Sequence, residues 1–69
     1  MTGIAVRATV REVRLERIVI VTIDGNEMMI LGRQLVRDGL IVESLEPGAE
    51  VVVEGKYVTR FVIEKVALP

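Results

Sequence analysis

The chain reads as an all-β protein, a small five-stranded Greek-key barrel with one short helix or turn between its third and fourth strands. Three observations predict this. A Pro-Gly turn, Leu45-Glu46-Pro47-Gly48-Ala49-Glu50, runs straight into the β-branched strand Val51-Val52-Val53-Glu54-Gly55-Lys56-Tyr57. Asp24-Gly25 sits between two apolar runs as a hairpin signal, because Asp and Gly tolerate the backbone of a tight turn. The opening segment alternates with period two, Ile4, Val6, Ala8 and Val10 against Arg7, Thr9 and Arg11.

The alternation of the first strand slips after Val10, since the next apolar residues are Val13 and Leu15. A one-residue slip turns every later side chain to the wrong face, so a bulge at Arg11-Glu12 is expected. Arg14 to Arg17 makes a charged turn into a second strand, Ile18 to Ile23, and the third strand returns as Glu27 to Leu31. Residues 33–46 admit two readings. Leu35, Val36, Leu40 and Val42 can share a helical face, whereas Arg37-Asp38-Gly39 can form a hairpin turn, and Gly39 costs a helix about 1 kcal/mol against Ala. The fourth strand spans Glu50 to Tyr57, with Gly55 where a small barrel must bend. The fifth runs from Phe61 to Leu68 after the link Val58-Thr59-Arg60. Residues 1–69 form a single domain without internal repeats.

Composition limits the chemistry. The 69 residues include no Cys and no His, which removes disulfides, thiolate metal sites and imidazole acid–base catalysis. Ser44 has no nearby base, and Asp24 and Glu27 read as turn formers, so neither an enzyme activity nor a cofactor or metal is expected. The lack of Cys fits a reducing, cytoplasmic setting. No stretch has the pattern of a signal peptide or a membrane span; the longest apolar run is a strand's length. Abundant charge, Val-rich strands and a single Asn, Asn26, fit a heat-adapted source. With 51% hydrophobic residues in so short a chain, some aliphatic surface is expected to stay exposed, the mark of an interface.

The net charge is −1, unevenly spread. Arg7, Arg11, Arg14, Arg17 and Arg33 outnumber the acids of the first half, whereas Asp38, Glu43, Glu46, Glu50 and Glu54 face only Arg37 across the middle.

Three stretches, Val6 to Arg14, Ile20 to Gly25 and Leu45 to Lys56, together resemble the OB-fold domains of nucleic-acid-binding proteins, in particular the anticodon-binding and single-strand-binding group. The length and Tyr57-Val58-Thr59-Arg60 are also similar to small OB proteins of translation initiation, although the basic surface of a ribosome-bound member is missing. Gly39-Leu40-Ile41 followed by Pro47-Gly48 and a Val-rich strand resembles the soluble OB domains of NfeD-type membrane proteins, a group associated with protein–protein contact. The first resemblance implies single-stranded or structured nucleic acid, DNA or RNA, bound with little sequence preference on strands two and three between the loops joining strands one to two and four to five. Tyr57 would then stack on a base, and Arg14, Arg17, Arg33, Lys56 and Arg60 would meet phosphates. The two aromatics also have a simpler place, with Phe61 in the core beside Ile63 and Tyr57 on the barrel wall.

The alternative function is a protein-interaction or homo-oligomerisation module. If Thr22 and Glu27 face outward, so do Ile18, Ile20, Met29, Leu31 and Arg33, and the exposed face is aliphatic. Such a face suits a protein partner or a second copy better than stacked bases.

Overall fold

The computed structural model describes residues 3–69 and shows five antiparallel strands curled into a half-barrel, compatible with an OB-like fold. The strands are β1 (Ile4–Val13), β2 (Arg17–Thr22), β3 (Glu27–Leu31), β4 (Glu50–Tyr57) and β5 (Phe61–Ala67), in the spatial order β3-β2-β1-β4-β5. Helix α1 (Gly32–Arg37) and one 3₁₀ turn (Val42–Ser44) connect β3 to β4. Met1 and Thr2, the first residues of the expected domain, lie outside the described residues. Among the described residues no helix is long and apolar enough to cross a membrane.

Both irregularities of the sheet have a legible cause. On β1, Val10 pairs with Ile20 and Glu12 with Val19, so Arg11 is the extra residue, at the expected bulge. The bulge restores the inward phase: Val6, Ala8 and Val10 point to the core before it and Val13 after it. On β5, Glu54 pairs with Lys65 and Gly55 with Ile63, leaving Glu64 as a second extra residue. Here β4 and β5 approach so closely that a Cβ on Gly55 would lie 2.0 Å from the Val62 carbonyl oxygen. Only glycine fits.

The connection after β3 is helical but short. The α1 helix stops at Arg37 because Gly39 adopts φ +84° and closes a Schellman motif, with Leu40 N–H donating to Leu35 O at 2.8 Å and Gly39 N–H to Val36 O at 3.0 Å. Leu35 is thereby buried and Val36 exposed, so the four apolar residues of this stretch do not share one helical face. The Pro47-Gly48 turn is fastened to β1 beside its bulge: Gly48 N–H donates to Val10 O, and Val10 N–H to Ala49 O, both at 2.8 Å.

The core is almost wholly aliphatic. Ile18, Ile20, Ile30, Leu35, Val51, Val53 and Val66 are fully enclosed, closed below by Val42 and Leu45. Burying each such side chain contributes about 1.5–3 kcal/mol against the entropy of ordering the chain. Ile18 and Ile20 correct the expected outward face of the second strand. Both surfaces of β2 are apolar, so only Thr22 marks its polarity, and Thr22 is buried. Its hydroxyl donates to the Asp24 carboxylate and accepts the Asn26 N–H at 3.1 Å, which satisfies it within the hairpin. The residues of β2 that face outward are Arg17, Val19 and Val21, in register with Leu31, Met29 and Glu27 of β3.

Candidate functional site

Because each neighbouring pair in the sheet is antiparallel, the two outermost strands, β3 and β5, run in the same direction. They are not paired with each other. The barrel is therefore open along one seam, and this seam is a cleft of about 870 Å³. Val6 forms part of its floor; Met28, Met29 and Leu31 come from one wall and Phe61, Val62 and Ile63 from the other. Met29 is 53% exposed, Leu31 38% and Val62 40%, so the wall tops are apolar and wet.

At one end of the seam α1 partly closes it with side chains. Gln34 Nε2 donates to Ile63 O at 3.4 Å, and Arg37 Nη2 to the carbonyl of the bulged Glu64 at 2.7 Å. Asp38, the C-cap of α1, accepts the Val66 N–H at 2.9 Å and the Arg37 Nε–H at 3.2 Å. Burial pushes the Asp38 carboxyl up, but the Val66 N–H, the Arg37 hydrogen bond and the charges of Arg37 and Lys65 outweigh it and hold the group below the usual 3.8. These three residues act as a clip between helix and strand.

The other end is open. It is framed by the β2–β3 hairpin, where Gly25 takes φ +90°, and by the β4–β5 link. Tyr57 and Phe61 meet there as a tilted aromatic pair, ring centroids 5.1 Å apart and planes at 59°. Phe61 packs against the core while Tyr57 remains 64% exposed. Arg60 lines the cleft beside them, opposite Asp24 and Glu27.

No match emerges from comparison with protein-family models, curated proteins or solved structures.

The residues expected to rim one groove fall into two groups. Val13 pairs with Ile18 at one end of β1 and Ile4 with Gly55 at the other, so the β1–β2 and β4–β5 loops lie at opposite ends of a ten-residue strand, roughly 30 Å long. Arg14, Arg17 and Arg33 gather at the first end, where Gly32 N–H donates to Glu16 O at 2.6 Å. Lys56, Tyr57 and Arg60 stand at the second. Arg14 is tied to Glu12 at 3.0 Å and Lys56 to Glu64 at 3.6 Å. Arg17, Arg33 and Arg60 form no ion pair among the described residues.

Of the four aliphatic residues expected at a protein interface, Met29 and Leu31 are exposed on β3, while Ile18 and Ile20 belong to the core. Val62 and Ile23, which is 89% exposed, join the surface in their place. Their signal was available in principle: Val62 falls between Phe61 and Ile63 in a period-two strand, and Ile23 directly precedes the turn.

Proposed function

We propose that the chain is a protein-interaction module whose contact surface is the open seam between β3 and β5. The observation that carries this reading is the continuity of exposed apolar side chains along both walls, Met29 and Leu31 facing Val62, with Ile23 at the open end. Contiguous surface of this kind on a small soluble domain marks an interface. Methionine is suited to it, since its unbranched thioether adapts to a partner's shape. The single exposed aromatic provides one stacking platform where several successive bases need more.

Light scattering after gel filtration tests the reading. The wild-type chain is expected to form a dimer or larger species at high concentration that Met29→Glu dissociates. A species unaffected by Met29→Glu contradicts the assignment of the surface.

A second reading, binding of single-stranded DNA or RNA by an OB-type surface, is favoured by one observation. Arg17 and Arg33 lie at the same end of the sheet as Arg14, without ion pairs of their own among the described residues. Its signature is co-elution with a mixed-sequence oligonucleotide that falls steeply with salt and is lost in Arg17→Ala and Arg33→Ala.

A further inference from the structure

We propose, resting on the protein-interaction reading, that the seam is a strand acceptor for an extended polypeptide whose C-terminal carboxylate is met by Arg60. The first ground is the main chain. The outer edge of β3 from Glu27 to Leu31 has no hydrogen-bond partner among the described residues. On β5 the side chains of Gln34, Arg37 and Asp38 take Ile63 O, Glu64 O and Val66 N–H, so the edge near α1 is occupied by substitutes for a strand. Toward the open end the Val62 carbonyl turns to β4 beside Gly55, and the Phe61 main chain has no such substitute among the described residues. An open edge is a template for one more strand.

Direction follows from topology. The two walls are parallel, so one inserted strand can run antiparallel to β3 along its length and to β5 at its Phe61 end, the pairing with the straighter hydrogen bonds. Such a strand enters at the α1 end and finishes between the β2–β3 hairpin and the β4–β5 link. Its side chains alternate between the apolar floor at Val6 and the outer surface beside Met29 and Val62.

Charge identifies the end of the occupant. Three charged side chains line the finishing point: Asp24, Glu27 and Arg60. Glu27 pairs with Arg11 at 2.5 Å, and Asp24 accepts from the Thr22 hydroxyl and from Asn26 Nδ2 at 3.2 Å. Arg60 alone has neither an ion pair nor a hydrogen-bonded carboxylate among the described residues, and a guanidinium favours a carboxylate in two-point contact. A strand running in the stated direction delivers its terminal carboxylate there.

The probe is an N-terminally fluorescent octapeptide of alternating threonine and valine ending in a free carboxylate, titrated with the full 69-residue chain by anisotropy. Saturable binding is expected, weakened about tenfold by C-terminal amidation of the peptide or by Arg60→Ala, equivalent to about 1.4 kcal/mol. N-methylation of alternate peptide nitrogens is expected to abolish it. No saturable binding at millimolar protein, or equal binding of the free-acid, amidated and N-methylated peptides, overturns the proposal. If the peptide fails while Met29→Glu still dissociates a homo-oligomer, the strand acceptor falls and the interface reading stands. If both fail, both fall.

Discussion

The closed wall of this half-barrel and its open seam are built from the same aliphatic residues and behave as opposites. On the wall, β1, β2 and β4 are paired on both edges, and their inward side chains Val10, Ile18, Ile20, Val51 and Val53 have no solvent contact worth the name. At the seam, β3 has no strand on its outer edge and β5 has only the side chains of α1 on part of its own, and Met29, Leu31 and Val62 stand in water. Hydrophobicity alone does not separate the two; facing does. Inward aliphatic side chains are enclosed on every strand, Ile30 of β3 and Val66 of β5 included, whereas Met29, Leu31 and Val62 turn outward beside the seam.

The sharpest way to break the comparison is to truncate each side. Ile20→Ala on the wall is expected to cost about 2–5 kcal/mol in urea denaturation. A domain of this size holds about 3–5 kcal/mol in all, so most of that variant should be unfolded. Met29→Ala at the seam is expected to stay within about 0.5 kcal/mol of wild type. Comparable losses at both sites would mean that the seam is core.

Gly55→Ala comes next. It places a methyl against the Val62 carbonyl where β4 and β5 are closest, and a loss of about 3 kcal/mol is expected from thermal melting, since backbone must move.

The clip between α1 and β5 has a smaller effect and a pH signature. Asp38→Ala removes the acceptor of the Val66 N–H and should cost about 1–2 kcal/mol. Because the folded carboxyl titrates below its usual 3.8, its contribution is fully present above that value and is lost as pH falls through the folded pKa. Asp38→Asn should therefore flatten the part of the wild-type stability curve that declines below about pH 4. An unchanged acid limb would remove Asp38 from the clip. The smallest expected stability change is that of Arg60→Ala, an exposed loop residue, within about 0.5 kcal/mol, so that any loss of peptide affinity reports contact and not unfolding.

Much of the fold was legible in the sequence. The Asp24-Gly25 hairpin and the Pro47-Gly48 turn rest on local chemistry that a residue type reports directly, and the β1 bulge at Arg11 on the slip in alternation; β4 runs unbroken through Gly55, whose irregularity lies in its register with β5. The second strand was not legible in its facing: with Ile18, Ile20, Val19 and Val21 all apolar, only the polarity of Thr22 spoke, and the hairpin satisfies its hydroxyl inside. The connection after β3 was readable as helix or hairpin and is a helix, which Gly39 ends after six residues. The site was the least legible part. Whether β3 and β5 meet depends on curl accumulated across five strands, which no single residue encodes. The distance between Arg14 and Arg60 depends on the same curl.

The most direct test of the seam as the contact surface is a backbone amide chemical-shift map of the wild-type chain, recorded with the octapeptide and with a mixed-sequence oligonucleotide. Shifts are expected along Glu27–Leu31 and Phe61–Ile63 with the peptide and none of note with the oligonucleotide. Shifts confined to Arg14, Arg17 and Arg33 on adding the oligonucleotide, with the seam silent to the peptide, would contradict the seam as the contact surface.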